Sequence, residues 1–268
     1  MVEMNNNAQK EKGGSASSLV RGLHILECFG PRKHGYTLSE LVKKTGMPKT
    51  SIHRVLKTFS SMNYLRYDEI SKRYHLGVRI LSLGFAVLEG MELREIARPY
   101  MEEVSRECKK TVNLGILDKD EMVYVERIKV NGIRSYNISI GNRMPPWKTA
   151  LGRAVLAYLD PLQLQQMIEK AREKNNFDLD LETIPFILSE VKKDGFALVD
   201  QEYIKGIIAI AVPVFSPAGV IGAINMVGEP EMVSEEEMRS VYAPKLKKVG
   251  DLLSEALGYR KQTENTYL

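Results

Sequence analysis

A chain of 268 residues, 44% hydrophobic and 27% charged, has room for one large or two modest domains and is neither fibrous nor wholly disordered. No apolar run reaches the ~18 residues that cross a bilayer, and the polar opening from Met1 to Gly14 lacks the apolar stretch of a secretory signal; we expect a cytoplasmic protein with a loose tail over residues 1–16. The net charge of +4 is uneven: up to Gly77 there are thirteen Lys and Arg against six Asp and Glu, so the remainder is slightly acidic and a polyanion would meet only the first segment.

In chain order, Leu19, Leu23, Leu26 and Phe29 are spaced as one helix face behind Ser17 and Ser18, and Gly30-Pro31 stops that helix. Thr37-Leu38-Ser39-Glu40 is a capping box that opens a short helix burying Leu38, Leu41 and Val42. Gly46 suits its left-handed end, and Pro48 the first turn of the next helix. That third helix, about Pro48 to Met62, carries two stripes. Ile52, Val55, Leu56 and Phe59 form an apolar one; Thr50, His53, Arg54 and Lys57 form a second on the other side, with Lys49 and Ser51 near the N-terminal end. The second stripe contains no acid, whereas an ordinary solvated helix face mixes both signs. Its donors suit phosphates and base edges; the plainer alternative is a solvated amphipathic helix.

Tyr64 to Tyr67 and Arg73 to Gly77 alternate around a polar tip and read as a β-hairpin whose cations are Lys72 and Arg73. Three helices and a basic hairpin make a winged helix-turn-helix over 17–77, with the wing on phosphates or in the minor groove. The run from Gly46 to Thr58 resembles the recognition helix of the IclR family of bacterial transcription regulators. Leu65 to Gly77 resembles that family's wing, and Ser18 to Leu26 its first helix.

Residues 78–92 are strongly apolar, with Ile80, Leu81, Leu83, Phe85, Val87 and Leu88. Such a helix needs cover: either it pairs with its copy in a second chain or it packs within its own. The resemblance implies the former, hence a homodimer or a dimer of dimers. Leu93, Ile96, Ala97, Tyr100, Met101, Val104 and Cys108 form a further helical stripe, interrupted by Pro99. The period then shifts to strands at Val112–Leu117, Met122–Ile128 and Ile133–Ile140, helices at Leu151–Leu159 and Leu162–Lys170, and strands at Phe196–Val199, Ile207–Phe215 and Val220–Val227. Ser234 to Glu237 is a second capping box before a long helix that buries Met238, Val241, Leu246, Val249 and Leu253 and bends at Pro244. The fold class is α+β: a winged helix-turn-helix, a linker helix, and a mixed domain over 93–268 that the resemblance identifies as a GAF-like effector-binding domain.

A Pro-rich loop from Gly141 to Lys148, holding the only Trp, leads into a helix capped by Thr149. The N–H groups of Ala150, Leu151 and Gly152 could hold a carboxylate, with Met144 and Trp147 covering an apolar body; alternatively this is an ordinary capped helix with Trp147 in the core. Carried over residue by residue, the family's effector pocket falls on Ala150, Leu151, Val199, Ile207, Ala209, Asn225 and Val227. The family's usual Asp four residues after Gly195 is Val199 here, with Asp200 next to it, and its frequent Cys is Ala209. Val199 and Val227 stand where some relatives hold very small acids with polar groups. The expected effector is therefore an organic acid with an apolar or aromatic portion.

Enzyme chemistry finds little support. There is no nucleophile elbow, phosphate-binding Gly loop or His/Cys metal spacing, and the four histidines, His24, His34, His53 and His75, all lie in the first module. Asp178, Asp180 and Glu182 read as an exposed acidic loop rather than a carboxylate pair, and Cys28 and Cys108 as buried free thiols. No cofactor or metal is expected. The partners are a pseudo-palindromic duplex DNA, a small organic acid and a second copy of the chain. The resemblance favours a repressor, with an activator, or an enzyme bearing an accessory winged helix, as alternatives.

Overall fold

The structure, a computed structural model, describes residues 14–30, 35–130, 138–173 and 183–260. Most of the expected strand at Ile133–Ile140, its Asn131-Gly132 turn and the acidic Asp178, Asp180 and Glu182 lie outside the described residues, as do Pro31 to His34 and the start of the tail. The chain divides into two compact units, 1–87 and 88–268.

In the first unit, α1 (Gly14–Glu27), α2 (Leu38–Thr45) and α3 (Lys49–Ser61) surround a core of Ile25, Phe29, Tyr36, Leu41, Ile52, Leu56 and Leu65. The expected capping box is present in both directions: Glu40 N–H donates to Thr37 Oγ1 at 3.2 Å, and Thr37 N–H to Glu40 Oε2 at 2.8 Å. Gly46 ends α2 with φ 69°, a left-handed value that favours glycine, and hands over to α3. Pro48 is the residue just before α3, one earlier than its sequence position implied. β1 (Leu65–Asp68) and β2 (Arg73–Leu76) pair antiparallel to form the hairpin. The linker segment is helical as α4 (Arg79–Glu89), which buries none of its residues; Leu81, Leu83, Phe85 and Val87 are each more than half exposed.

The second unit is built on a six-stranded antiparallel sheet, ordered β5-β4-β3-β8-β7-β6. The strands are β3 (Thr111–Asp118), β4 (Glu121–Ile128), β5 (Arg143–Met144), β6 (Ala197–Asp200), β7 (Ile208–Ser216) and β8 (Gly219–Gly228). The neighbours β3 and β4, and β7 and β8, are consecutive in the chain and need only short turns. One face packs on α5 (Glu92–Cys108) and α10 (Ala243–Ala256) through Met101, Val104, Leu114, Ile210, Ile224, Leu246 and Leu253. Against expectation α5 runs through Pro99 without a break, and its first turn keeps its apolar stripe on the sheet.

The other face packs on α6 (Ala150–Leu156). Trp147, Leu156, Met167, Ile184 and Leu188 then form a further apolar layer with α7 (Pro161–Glu173) and α8 (Ile184–Asp194), a helix that the periodicity analysis did not place. The expected C-terminal helix begins as the single turn α9 (Glu235–Glu237) and passes through a π-helical turn, Met238–Tyr242, before α10. The extra residue of that turn accommodates Pro244 and rotates Val241 to the surface, where it is 43% exposed rather than buried. The Ser234 box is half formed: Glu237 N–H donates to Ser234 Oγ at 3.1 Å, while the Glu237 carboxylate accepts instead from the Tyr242 hydroxyl.

Candidate functional site

The row expected to meet DNA is on the surface. With Ile52 and Leu56 fully buried, the helical period turns Lys49, Thr50, His53, Arg54 and Lys57 outward, and α3 carries no carboxylate. Ser51 is half-buried and accepts at 3.5 Å from Arg21 Nη1 on α1. The wing differs from expectation. Arg73 is not presented to an outside anion: its guanidinium grips both Glu40 oxygens, at 2.9 and 3.3 Å, and the Gly35 carbonyl at 3.0 Å. It thus ties the hairpin to the capping box of α2. Lys72, at the tip with φ 54°, pairs with Glu69 at 3.1 Å, and that carboxylate holds its ammonium above the usual lysine range. The pair is exposed and weak, so Lys72 remains available to phosphate. Asp68 braces the tip, accepting from Ile70 N–H at 3.0 Å and the Ser71 hydroxyl at 2.6 Å; these bonds hold its carboxyl below the ordinary range.

In the second unit a small cavity opens between the sheet and the start of α6. Seven of the nine residues expected at a ligand site line it: Met144, Ala150, Val199, Ile207, Ala209, Asn225 and Val227. The sheet explains the grouping, because Val199, Ala209 and Val227 are opposite one another on three adjacent strands. Two do not line it. Trp147 belongs to the layer with α7 and α8, since the 3-10 turn Pro146–Lys148 directs its indole away from the sheet; the alternative of Trp147 in the core is the one realised. Leu151 is fully buried one position into α6, against Gly115. Thr149 caps α6 as expected, but its Oγ1 already takes the Gly152 N–H at 3.1 Å, which withdraws that donor from a ligand.

Sequence reading placed Asn225 here but missed the other polar side chains of this wall: Tyr124 from β4, Lys148, and Gln201, Glu202 and Tyr203 from the turn after β6. Those last three follow a strand too short to reveal where its side chains point. Glu202 is neutralised by Arg153 of α6, with contacts of 2.7 and 2.6 Å, while Arg153 Nε donates to the Trp147 carbonyl at 2.8 Å. Among the described lining residues Lys148 brings a positive charge to the wall. No group of His, Cys, Asp and Glu among the described residues could hold a metal ion.

Two family models match this layout. The IclR helix-turn-helix domain covers residues 18–69, and the model described as bacterial transcriptional regulator IclR C-terminal covers residues 85–255. The chain belongs to the IclR family. Its IclR relatives include the HTH-type transcriptional regulator KdgR of Escherichia coli K12, 30% identical over 249 residues, which span 91% of this chain and 94% of KdgR. Among solved structures, the IclR family transcriptional regulator from Brucella abortus superposes with a TM-score of 0.77 at 26% identity, over 92% of this chain and 97% of that one. An IclR homolog from Microbacterium hydrocarbonoxydans, complexed with 4-hydroxybenzoate, shares the fold at 22% identity with a TM-score of 0.73, covering 90% and 99%. The relatives are DNA-binding transcriptional regulators, and no helix among the described residues is long and apolar enough to cross a membrane.

Proposed function

We propose that this IclR-family regulator reads a pseudo-palindromic operator with α3, as a homodimer or dimer of dimers joined through α4, and that a small organic acid in the sheet–α6 cavity modulates the binding. The observation that carries the DNA reading is the acid-free exposed row of Lys49, Thr50, His53, Arg54 and Lys57. Donors of this kind suit phosphate oxygens and the major-groove edges of bases, and two copies of the helix match the two halves of a palindrome. The unburied apolar residues of α4 support pairing with a second copy.

The cavity's lining supports an acid with an apolar body: Val199, Ile207, Ala209 and Val227 offer an apolar wall, and Lys148 lines the same cavity. A protein of the same fold accommodates 4-hydroxybenzoate. Repression is the sign we assign, following the family resemblance. The test is a mobility shift on the DNA upstream of the gene and its neighbours, repeated with a panel of acids, beside a reporter assay for sign. Arg54→Ala is expected to cost about 1–3 kcal/mol on the operator if it reads a base, with little loss on random DNA. Equal loss on both would reassign Arg54 to a phosphate, and absence of binding to any fragment at low salt would sink the function.

A further inference from the structure

Beneath the apolar wall the sheet carries a buried polar row that an apolar ligand body would not need. Asn113 stands opposite Arg127 of β4 on one side and Asn225 of β8 on the other. Asn113 and Asn225 are 1% and 2% exposed, and Asn113 Nδ2 donates to Asn225 Oδ1 at 2.7 Å. With that oxygen taken, Asn225 has its amide hydrogens left to donate, beside the Tyr124 hydroxyl in the cavity lining. Asn113 Oδ1 has no hydrogen-bond partner among the described residues. Amides buried without partners are costly, and an apolar residue like Ala223 and Val227, which share the face of β8 with Asn225, would avoid that cost. Burial pushes the Tyr124 hydroxyl up to about 12, so it keeps its proton throughout the physiological range. Tyr124 and Asn225 are buried and line the same cavity as the half-buried Lys148.

We propose that Tyr124 and Asn225 form a second recognition point, which donates hydrogen bonds to an oxygen of the ligand other than its carboxylate. Tyr124 is then a specificity-determining residue, and the effector is an aromatic or alicyclic acid that carries a hydroxyl or keto oxygen. This rests on the ligand reading of the cavity given above. A site built to bond a ligand oxygen rejects the analogue that lacks it, because its own donors are left buried and unpaired; a purely apolar wall discriminates far less.

The experiment is calorimetry on the full chain with benzoate, 4-methylbenzoate, 3-hydroxybenzoate and 4-hydroxybenzoate. The wild type is expected to bind one hydroxylated acid about tenfold or more tightly than the methyl analogue of similar size. Tyr124→Phe should abolish that preference while leaving the affinity for 4-methylbenzoate within about twofold, since no polar contact to that ligand is lost. Equal wild-type affinity for the hydroxylated and methylated acids overturns the proposal without any variant, as does survival of the preference in Tyr124→Phe. Should none of the acids bind the wild type, the acid-pocket reading falls and this inference with it; binding without preference removes only the second recognition point.

Discussion

Arg73 and Lys72 are adjacent cations on one hairpin, yet their surroundings give them different work. Arg73 makes a bidentate pair with Glu40 and a third bond to the Gly35 carbonyl, an arrangement with the geometric specificity of a fork meeting a carboxylate. Both side chains are about a third exposed, so the pair is only partly screened by water. A double-mutant cycle on Arg73→Ala and Glu40→Ala should return a coupling of about 1 kcal/mol in urea unfolding. Lys72 should act on DNA instead: Lys72→Ala is expected to lower the slope of log affinity against log salt by about one on operator and random DNA alike, whereas Arg73→Ala leaves that slope unchanged. A slope change for Arg73→Ala and none for Lys72→Ala would reverse the two roles. The same contrast holds for Arg153, which is 4% exposed and depends on Glu202 for its counter-charge. Glu202→Ala would strand it, at a cost of about 2 kcal/mol or more, seen as a thermal midpoint several degrees lower.

At the scale of elements, the close approach of α6 to its preceding turn is the tightest constraint on the cavity. A Cβ at Gly152 would sit 2.1 Å from the Pro146 carbonyl oxygen and 2.3 Å from its Cα, contacts that only a backbone shift can relieve. Gly152→Ala should therefore destabilise the chain by about 3 kcal/mol, measured in urea, and weaken any ligand held beside Ala150; an unchanged midpoint would mean that the turn yields. On α4, Phe85→Glu should lower the sedimentation mass and the operator affinity while sparing ligand affinity.

What could be read beforehand follows from how local each signal is. The Thr37–Glu40 box, the Gly46 cap and the two stripes of α3 are written within one or two turns of chain, and the structure has them all. The strands β3, β4, β7 and β8 were legible because their apolar runs end at turn residues. Whether Trp147 faces a ligand or the layer of α7 and α8 depends on the direction of a three-residue 3-10 turn, which no periodicity encodes. The roles of Arg73 and Glu202 depend on partners 33 and 49 residues away. Tyr124 was hidden because β4 alternates around a bulge opposite Leu114 and Gly115, so a period of two misassigns its faces.

For the whole molecule, regulation is a statement about two binding equilibria. A ligand in the second unit changes operator affinity only if it binds the operator-competent state and its alternative with different strength. The coupling is reciprocal: whatever factor the ligand imposes on DNA binding, DNA must impose on ligand binding. If a saturating acid weakens the operator complex tenfold, saturating operator must weaken the acid tenfold, a coupling of about 1.4 kcal/mol measured from either side. Anisotropy titrations of labelled operator at several ligand concentrations give one side of this cycle, and calorimetry of the ligand with and without operator gives the other. The two factors should agree within error, and Tyr124→Phe should leave the factor intact for 4-methylbenzoate while changing the concentration at which 4-hydroxybenzoate acts. An acid that fills the cavity yet leaves operator affinity untouched would separate occupancy from control and show that the cavity is not the regulatory site.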